Sequence, residues 1–214
     1  MYKRQVLDYR FEFKDGNHFY FYWPFTIDDD ARFIGMILDE KVALMDTVDA
    51  RGAVEWEKNL LDTLAGRQVD YLVISHLEPD HAGSIGRLVE LFPEVTLVGN
   101  AKTFAMLPQF FPEGVMDCEK LTVKEGDTLS LGAHTLTFVM APMVHWPEVM
   151  VSYESAEKVL FSADGFGKFG ALSLTEDADW ACEARRYYFN IVGKYGNPAV
   201  SYTHLRAHET AANL

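Results

Sequence analysis

Two histidines, a glutamate and an aspartate fall within six positions of the stretch SHLEPDHAGS, residues 75–84, directly after the apolar run YLVI. Charged groups set against a buried strand are costly unless they are paired or hold a metal ion. The density of this cluster therefore points to a cation at its centre. His76 and Glu78 are two residues apart, so an extended backbone aims both side chains the same way and lets them share one ion. Pro79 disfavours helical geometry at Glu78 and helps to hold that extension. Asp80 and His81 come after the bend, at the mouth of a helix read as beginning near Ala82, where they can face a second ion. Gly83 keeps the backbone slim at this crowded turn.

Two further candidates follow apolar strands in the same way: His145 after TFVMAPMV and Asp164 after VLFSA. A carboxylate such as Asp164 can bridge two ions about 3.5–4 Å apart, one oxygen to each. Trp146 reads as packing over the site, and His134, inside LGAHTLTF, as a surface or edge residue. His18 has no chemical company. Cys118 and Cys182 read as structural or surface thiols without metal-type spacing.

The elements that must position these groups are read from periodicity. Strands are expected at 10–14, 17–23, 32–38 and 41–46, then a helix over 53–65 with Val54, Leu61 and Leu64 on its apolar stripe and Trp56 and Leu60 beside them. YLVIS and EVTLVG read as buried strands. Between them Ile85, Leu88, Val89 and Phe92 follow the i, i+3, i+4, i+7 rule of an amphipathic helix ending before Pro93. Another helix is expected over 100–111. The block LTVKEGDTLSLGAHTLTFVMAP breaks into short strands at EGD and LGA, and VMVSYE and KVLFSAD form a hairpin pair. The last helix, 178–195, sets Ala184, Tyr188, Ile191, Val192 and Tyr195 on one stripe, with the Tyr187, Tyr188 and Phe189 run packing on the body. The strand-rich block at 120–163 does not fit a regular βαβ repeat. The fold class is therefore α/β (α+β): two sheets packed together with helices outside, an αββα sandwich.

Composition narrows the function. The chain has 214 residues, 49% hydrophobic, enough for one sizeable domain. Its net charge of -13 argues against nucleic acid and anionic membranes as partners. Two cysteines, no signal peptide and no apolar run near the length of a membrane span read as cytoplasmic.

Both ends of the chain are odd together. MYKRQ written back as GTG-TAT-AAG-AGA-CAG contains, on the complementary strand, GTC-TCT-TAT-ACA, which encodes VSYT, residues 200–203. The string VSYTHLRAHET also resembles a translated sequencing adapter. Residues 1–5 and 200–214 are accordingly read as adapter-derived, leaving one partial domain at 6–199, incomplete at its C-terminus. His204 and His208, although four apart, are not counted as ligands.

The H-x-E-x-D-H block, MAPMVHWPEVM and the SAD after a strand resemble the metallo-β-lactamase-type domain of flavodiiron proteins, also called A-type flavoproteins. The resemblance runs from ILDEKVALMDTVD to ARRYYFNIVGKYG. Most of the wider superfamily carries a second histidine where this chain has Glu78 and binds zinc; a carboxylate there shifts preference towards iron. The resemblance implies a non-haem di-iron centre with His76, Glu78 and His145 on one iron, Asp80 and His81 on the other, and Asp164 as the bridge. It implies reduction of O2 to water or NO to N2O, with electrons from the FMN of a flavodoxin-like domain that this chain lacks. Rubredoxin or a similar donor, and a head-to-tail homodimer, are the expected partners. A further histidine ligand and the flavodoxin domain are expected downstream. Gly165 stands where the family usually has alanine. A zinc-dependent hydrolase of the same fold, and an inactive fragment, are the alternatives.

Overall fold

The computed structural model describes residues 9–12, 18–22, 34–111, 114–165, 167 and 180–197. The adapter-like segments 1–5 and 200–214, and with them His204 and His208, lie outside the described residues.

Seven strands form the first sheet in simple sequence order. β1 (Tyr9–Glu12), β2 (His18–Tyr22), β3 (Ile34–Leu38) and β4 (Val42–Met45) pair antiparallel. β5 (Tyr71–Val73), β6 (Thr96–Asn100) and β7 (Lys120–Val123) continue the sheet in parallel. The parallel strands need crossovers, which the helices supply. The second sheet, in order β11-β10-β9-β8, is antiparallel throughout. It consists of β8 (Thr128–Ser130), β9 (Thr135–Met140), β10 (Met150–Glu154) and β11 (Val159–Phe161).

Alternation along the strands divides the core between faces. In β4, Ala43 and Met45 point to the second sheet and join Val73, Val98, Leu136, Phe138, Met150 and Phe161. Val42 and Leu44 point the other way, into a cluster with Leu72, Ile74 and Leu97 and the helix residues Trp56, Leu60, Leu64, Ile85 and Leu88. A third cluster joins Val139, Val151 and Leu160 on the outer face of the second sheet to Tyr187, Ile191 and Val192. Three clusters between four layers make the expected αββα sandwich. No helix among the described residues is long and apolar enough to cross a membrane.

The helices depart from the periodic reading in four places. In α1 (Ala53–Leu64) the buried row is Trp56, Leu60 and Leu64, whereas Val54 is 85% and Leu61 44% exposed. Val54 lies about 200° round the helix from Trp56, so the two cannot share a face. The helix read as starting near Ala82 is two pieces, a single turn α2 (Pro79–Ala82) and then α3 (Ile85–Leu91). Proline suits the first helical position because its missing N–H would have had no partner there.

The segment read as a helix over 100–111 is α4 (Ala101–Met106) followed by a tight 3-10 turn, Leu107–Gln109, at Pro108. The last segment is α5 (Trp180–Tyr187), then a wide π turn at Tyr188–Val192 and a tight one at Gly193–Tyr195. The widened turn shifts the helical phase. Tyr187 packs on the second sheet, but Tyr188 and Phe189 are exposed, Phe189 to 73%, so only part of that aromatic run covers the sandwich.

Candidate metal centre

The sequence puts its chemistry at strand ends, and the sheets bring those ends to one rim. β5 delivers Ser75 and His76, and the extended residue Glu78 (φ -60°, ψ 142°) leads into α2, which carries Asp80 and His81. His145 lies in the connection between β9 and β10, and Asp164 in the turn after β11. Gly83 is required where α2 meets the loop after β4: a Cβ there would lie 2.5 Å from the Pro79 carbonyl oxygen.

Two groups of side chains converge closely enough to hold an ion each, His76, Glu78, His145 and Asp164 in one, and Asp80, His81 and Asp164 in the other. In the first, Glu78 Oε2 lies 3.0 Å from His145 Nε2 and 3.3 Å from His76 Nε2. Asp164 Oδ2 lies 3.0 Å from His145 Nε2 and 3.4 Å from His76 Nε2. In the second, His81 Nε2 is 3.2 Å from Asp164 Oδ1 and 3.3 Å from Asp80 Oδ2. The two oxygens of Asp164 thus face different groups.

The donor set fits a cation. Donor atoms about 2.1 Å from one ion lie about 3.0 Å apart in an octahedron and about 3.4 Å apart in a tetrahedron, and the spacings here span that range. Asp164 Oδ2 is buried and makes no well-directed hydrogen bond despite its two imidazole neighbours. His145 and His76 with Glu78 Oε2, and His81 with Asp164 Oδ1, also have hydrogen-bond geometry, so it is the convergence of donors on common points and the unpartnered Oδ2 that speak for an ion.

The groups also charge one another. Contact with the Asp164 carboxylate, then with Glu78, pushes His145 up to about 9. Burial works to lower His81, but Asp164 and Asp46 outweigh it and push that imidazole up to about 10. For His76, burial is outweighed by Glu148 and Glu78, and the value rises. Glu78 is held well below the usual carboxylate range by His145 and His76. Asp164 is held lower still, its burial outweighed by His145 and His81. Without a metal ion these carboxylates and imidazoles thus favour one another's charged forms, and a metal ion entering the site would displace protons held there.

Two buried carboxylates that the sequence reading did not single out stand behind the histidines. Glu148 Oε1 accepts from the Leu77 N–H at 2.9 Å and lies 2.7 Å from His76 Nδ1. Asp46 Oδ1 accepts from the Ser75 N–H at 2.6 Å, and its Oδ2 lies 3.1 Å from His81 Nδ1. Asp46 closes the apolar strand KVALMD just as Asp164 follows VLFSA, so the same pattern could have found it. Glu148 had no comparable signal. Asn100, which caps α4 through the N–H groups of Lys102 and Thr103, donates to the Glu148 carbonyl at 2.7 Å and ties that loop to the first sheet.

Trp146 stands edge-on to His76 with ring centres 5.1 Å apart, and Phe110 stacks outside it at 6.0 Å. His134 corrects its reading as a surface or edge residue. It is 1% exposed, and both its backbone N–H and its Nδ1 meet Asp39 Oδ2, at 2.7 and 2.8 Å. This pair joins the β3–β4 turn to the β8–β9 turn, at the opposite end of β4 from Asp46.

An αββα sandwich with a rim of imidazoles and carboxylates defines a metallo-β-lactamase-like domain. Residues 34–191 match the family model described as ODP family beta lactamase, and the chain belongs to that family. It is 35% identical over 167 residues to a nitric oxide reductase of Moorella thermoacetica, covering 76% of this chain and 41% of that protein. It is 39% identical over 166 residues to the rubredoxin-oxygen oxidoreductase of Megalodesulfovibrio gigas, covering 75% and 40%.

Among solved structures, the rubredoxin oxygen:oxidoreductase of Desulfovibrio gigas superposes with a TM-score of 0.79 at 29% identity, over 96% of this chain and 53% of that one. The flavodiiron protein of Giardia intestinalis superposes with a TM-score of 0.78 at 25% identity, over 99% and 53%. The homologues are flavodiiron proteins, in agreement with the H-x-E-x-D-H resemblance. The chain spans about two fifths of the length of these curated relatives.

Proposed function

We propose that this domain holds two iron ions and reduces O2 to water, NO to N2O, or both, as part of a longer flavodiiron polypeptide. In this reading His76, Glu78 and His145 hold one ion, Asp80 and His81 the other, and Asp164 bridges them. The observation that carries it is Asp164, whose two oxygens face two separate sets of donors, 3.0 Å from His145 on one side and 3.2 Å from His81 on the other. A bridged pair of ions serves hydrolysis as well as redox chemistry; a paired reduction of two NO molecules, or of O2 by several electrons, needs two redox ions side by side, and Glu78 is what turns the choice towards iron. The irons would supply the electron-transfer chemistry, and the protein supplies ligands, orientation and a sheltered pocket.

Glu78 favours iron over zinc, since a carboxylate in place of imidazole is the harder ligand. Trp146 and Phe110 wall one side of His76 with apolar surface, which keeps water from that ligand. The electrons would come from FMN on a flavodoxin-like domain, fed by rubredoxin or a similar donor in the cytoplasm. A head-to-tail homodimer would bring one subunit's flavin near the other's irons.

The test is metal analysis and gas consumption of the full-length protein purified without air. About two irons per chain are expected, with NO or O2 consumed when a reduced donor is present and no esterase or lactamase turnover. Stoichiometric zinc with hydrolytic activity and no NO or O2 consumption would overturn the proposal in favour of a hydrolase.

A further inference from the structure

We infer that Asp46 and Glu148 are positioning residues, one for each half of the centre, and that they hold their histidines by different hydrogen-bond arrangements. The inference rests on the two-ion reading above. A carboxylate can only accept, and carboxylates face both nitrogens of each ring, Asp46 and Glu148 at Nδ1, Asp164 and Glu78 at Nε2. With an ion on the Nε2 side, as the two-ion reading has it, the proton stays on Nδ1 and the Nε2 lone pair is left for the ion. Each carboxylate also pins a backbone N–H of the segment that carries the ligands, Ser75 for Asp46 and Leu77 for Glu148. Ring and backbone are thus fixed together from a distant part of the chain.

The arrangements differ in the number of oxygens used. Asp46 spends both, Oδ1 on Ser75 and Oδ2 on His81. Glu148 spends only Oε1, on both Leu77 and His76, while its buried Oε2 makes no hydrogen bond among the described residues. Replacing a carboxylate by the amide of the same shape therefore has opposite consequences. In Asp46→Asn one oxygen becomes an NH2 group, which must face a donor, either the Ser75 N–H or the His81 ring. His81 must then move its proton to Nε2 and lose its ligand lone pair, or the end of β5 must shift. In Glu148→Gln the carbonyl oxygen takes the place of Oε1 and keeps both donors, and the NH2 group occupies the unused position. His76 keeps its tautomer. A role confined to packing would not separate the two substitutions.

The experiment titrates metal-free full-length protein with Co(II) against a competing chelator, reading visible absorption, and compares the wild type with Asp46→Asn and Glu148→Gln. Loss of a residue that orients a ligand commonly weakens metal binding by about tenfold to a hundredfold. Two equivalents are expected in the wild type. In Asp46→Asn one of them should weaken about tenfold or more while the other stays within about threefold, and in Glu148→Gln both should stay within about threefold. Imidazole nitrogen-15 shifts of the zinc-loaded wild type should show Nδ1–H on both His76 and His81.

Equal losses in the two variants, no loss in Asp46→Asn, or an Nε2–H on His81 in the wild type would each overturn the inference. Should Asp46→Asn fail to fold, the wild-type nitrogen-15 shifts decide. A wild type that takes up fewer than two cobalt ions sinks the two-ion reading and this inference with it. Two ions in the wild type with undifferentiated variants sinks the inference alone.

Discussion

Gly83→Ala tests how tightly the second half of the centre is packed. A methyl group at this position would lie 2.5 Å from the Pro79 carbonyl oxygen and 3.0 Å from both Ala50 N and Val48 O. All three are backbone atoms, so no side chain can rotate away. The backbone of Gly83 is right-handed helical, φ -59° and ψ -20°, and alanine adopts it without strain. The substitution therefore gains about 0.4–1 kcal/mol by restricting the unfolded chain. Overpacking costs about 1–3 kcal/mol, and three unyielding backbone contacts put this case in the upper half of that range, about 2–3 kcal/mol, so the steric effect wins by roughly 1–2.6 kcal/mol. For a domain of this size that is a fall in Tm of about 2–10 °C.

The displacement also has a direction. α2 is tied to the loop after β4 through the His81 carbonyl, which accepts from the Thr47 N–H at 2.6 Å and the Thr47 hydroxyl at 2.9 Å. Pushing α2 off that loop moves Asp80 and His81, while His76 and Glu78 lie before the bend. Thermal and urea unfolding of metal-free full-length protein, with a Co(II) titration beside them, measure both effects. A variant that melts at or above the wild type and binds cobalt unchanged would refute the packing argument.

Three further outcomes are expected. Hydrogen bonds to His134 and the Glu40 N–H outweigh burial and hold the Asp39 carboxyl below its ordinary value. The stability it contributes is therefore present above the unfolded carboxylate value of about 3.9 and lost as pH falls through the lower folded value. Urea unfolding from pH 7 to pH 3 should show Asp39→Asn losing less stability on acidification than the wild type, and parallel curves would count against this. On α1, Leu60→Ala should cost about 2–5 kcal/mol and Val54→Lys less than about 0.5 kcal/mol, since Leu60 is buried and Val54 is 85% exposed. Chemical denaturation of the two variants checks the contrast. Finally, Asp164→Ala should weaken both cobalt equivalents, whereas His145→Ala should weaken one; equal effects in the titration would argue against Asp164 serving two ions.

Much of this molecule can be read without coordinates because its information is local. The spacing of His76 and Glu78 on an extended backbone, the proline after them and the apolar strand before them are facts of neighbouring residues. Strand existence followed from short apolar runs bounded by turn residues, and the layered sandwich followed from a strand-rich block at 120–163 that a regular βαβ repeat would not contain. The separate signals at His145 and Asp164 could be paired with the block only because strand ends in such a sandwich share a rim.

The sequence could not show helix phase where a turn changes width, as at Tyr188–Val192, nor which side of α1 meets the sheet. Those depend on what lies opposite. It also hid the partners of polar groups. His134 looks like an edge residue until Asp39, 95 positions away, is folded onto it, and Glu148 looks like any loop glutamate until its carboxylate meets His76, 72 positions away. A residue's type states which hydrogen bonds it can make. Only the packing of distant segments, which removes water and leaves one partner within reach, decides which ones it does make.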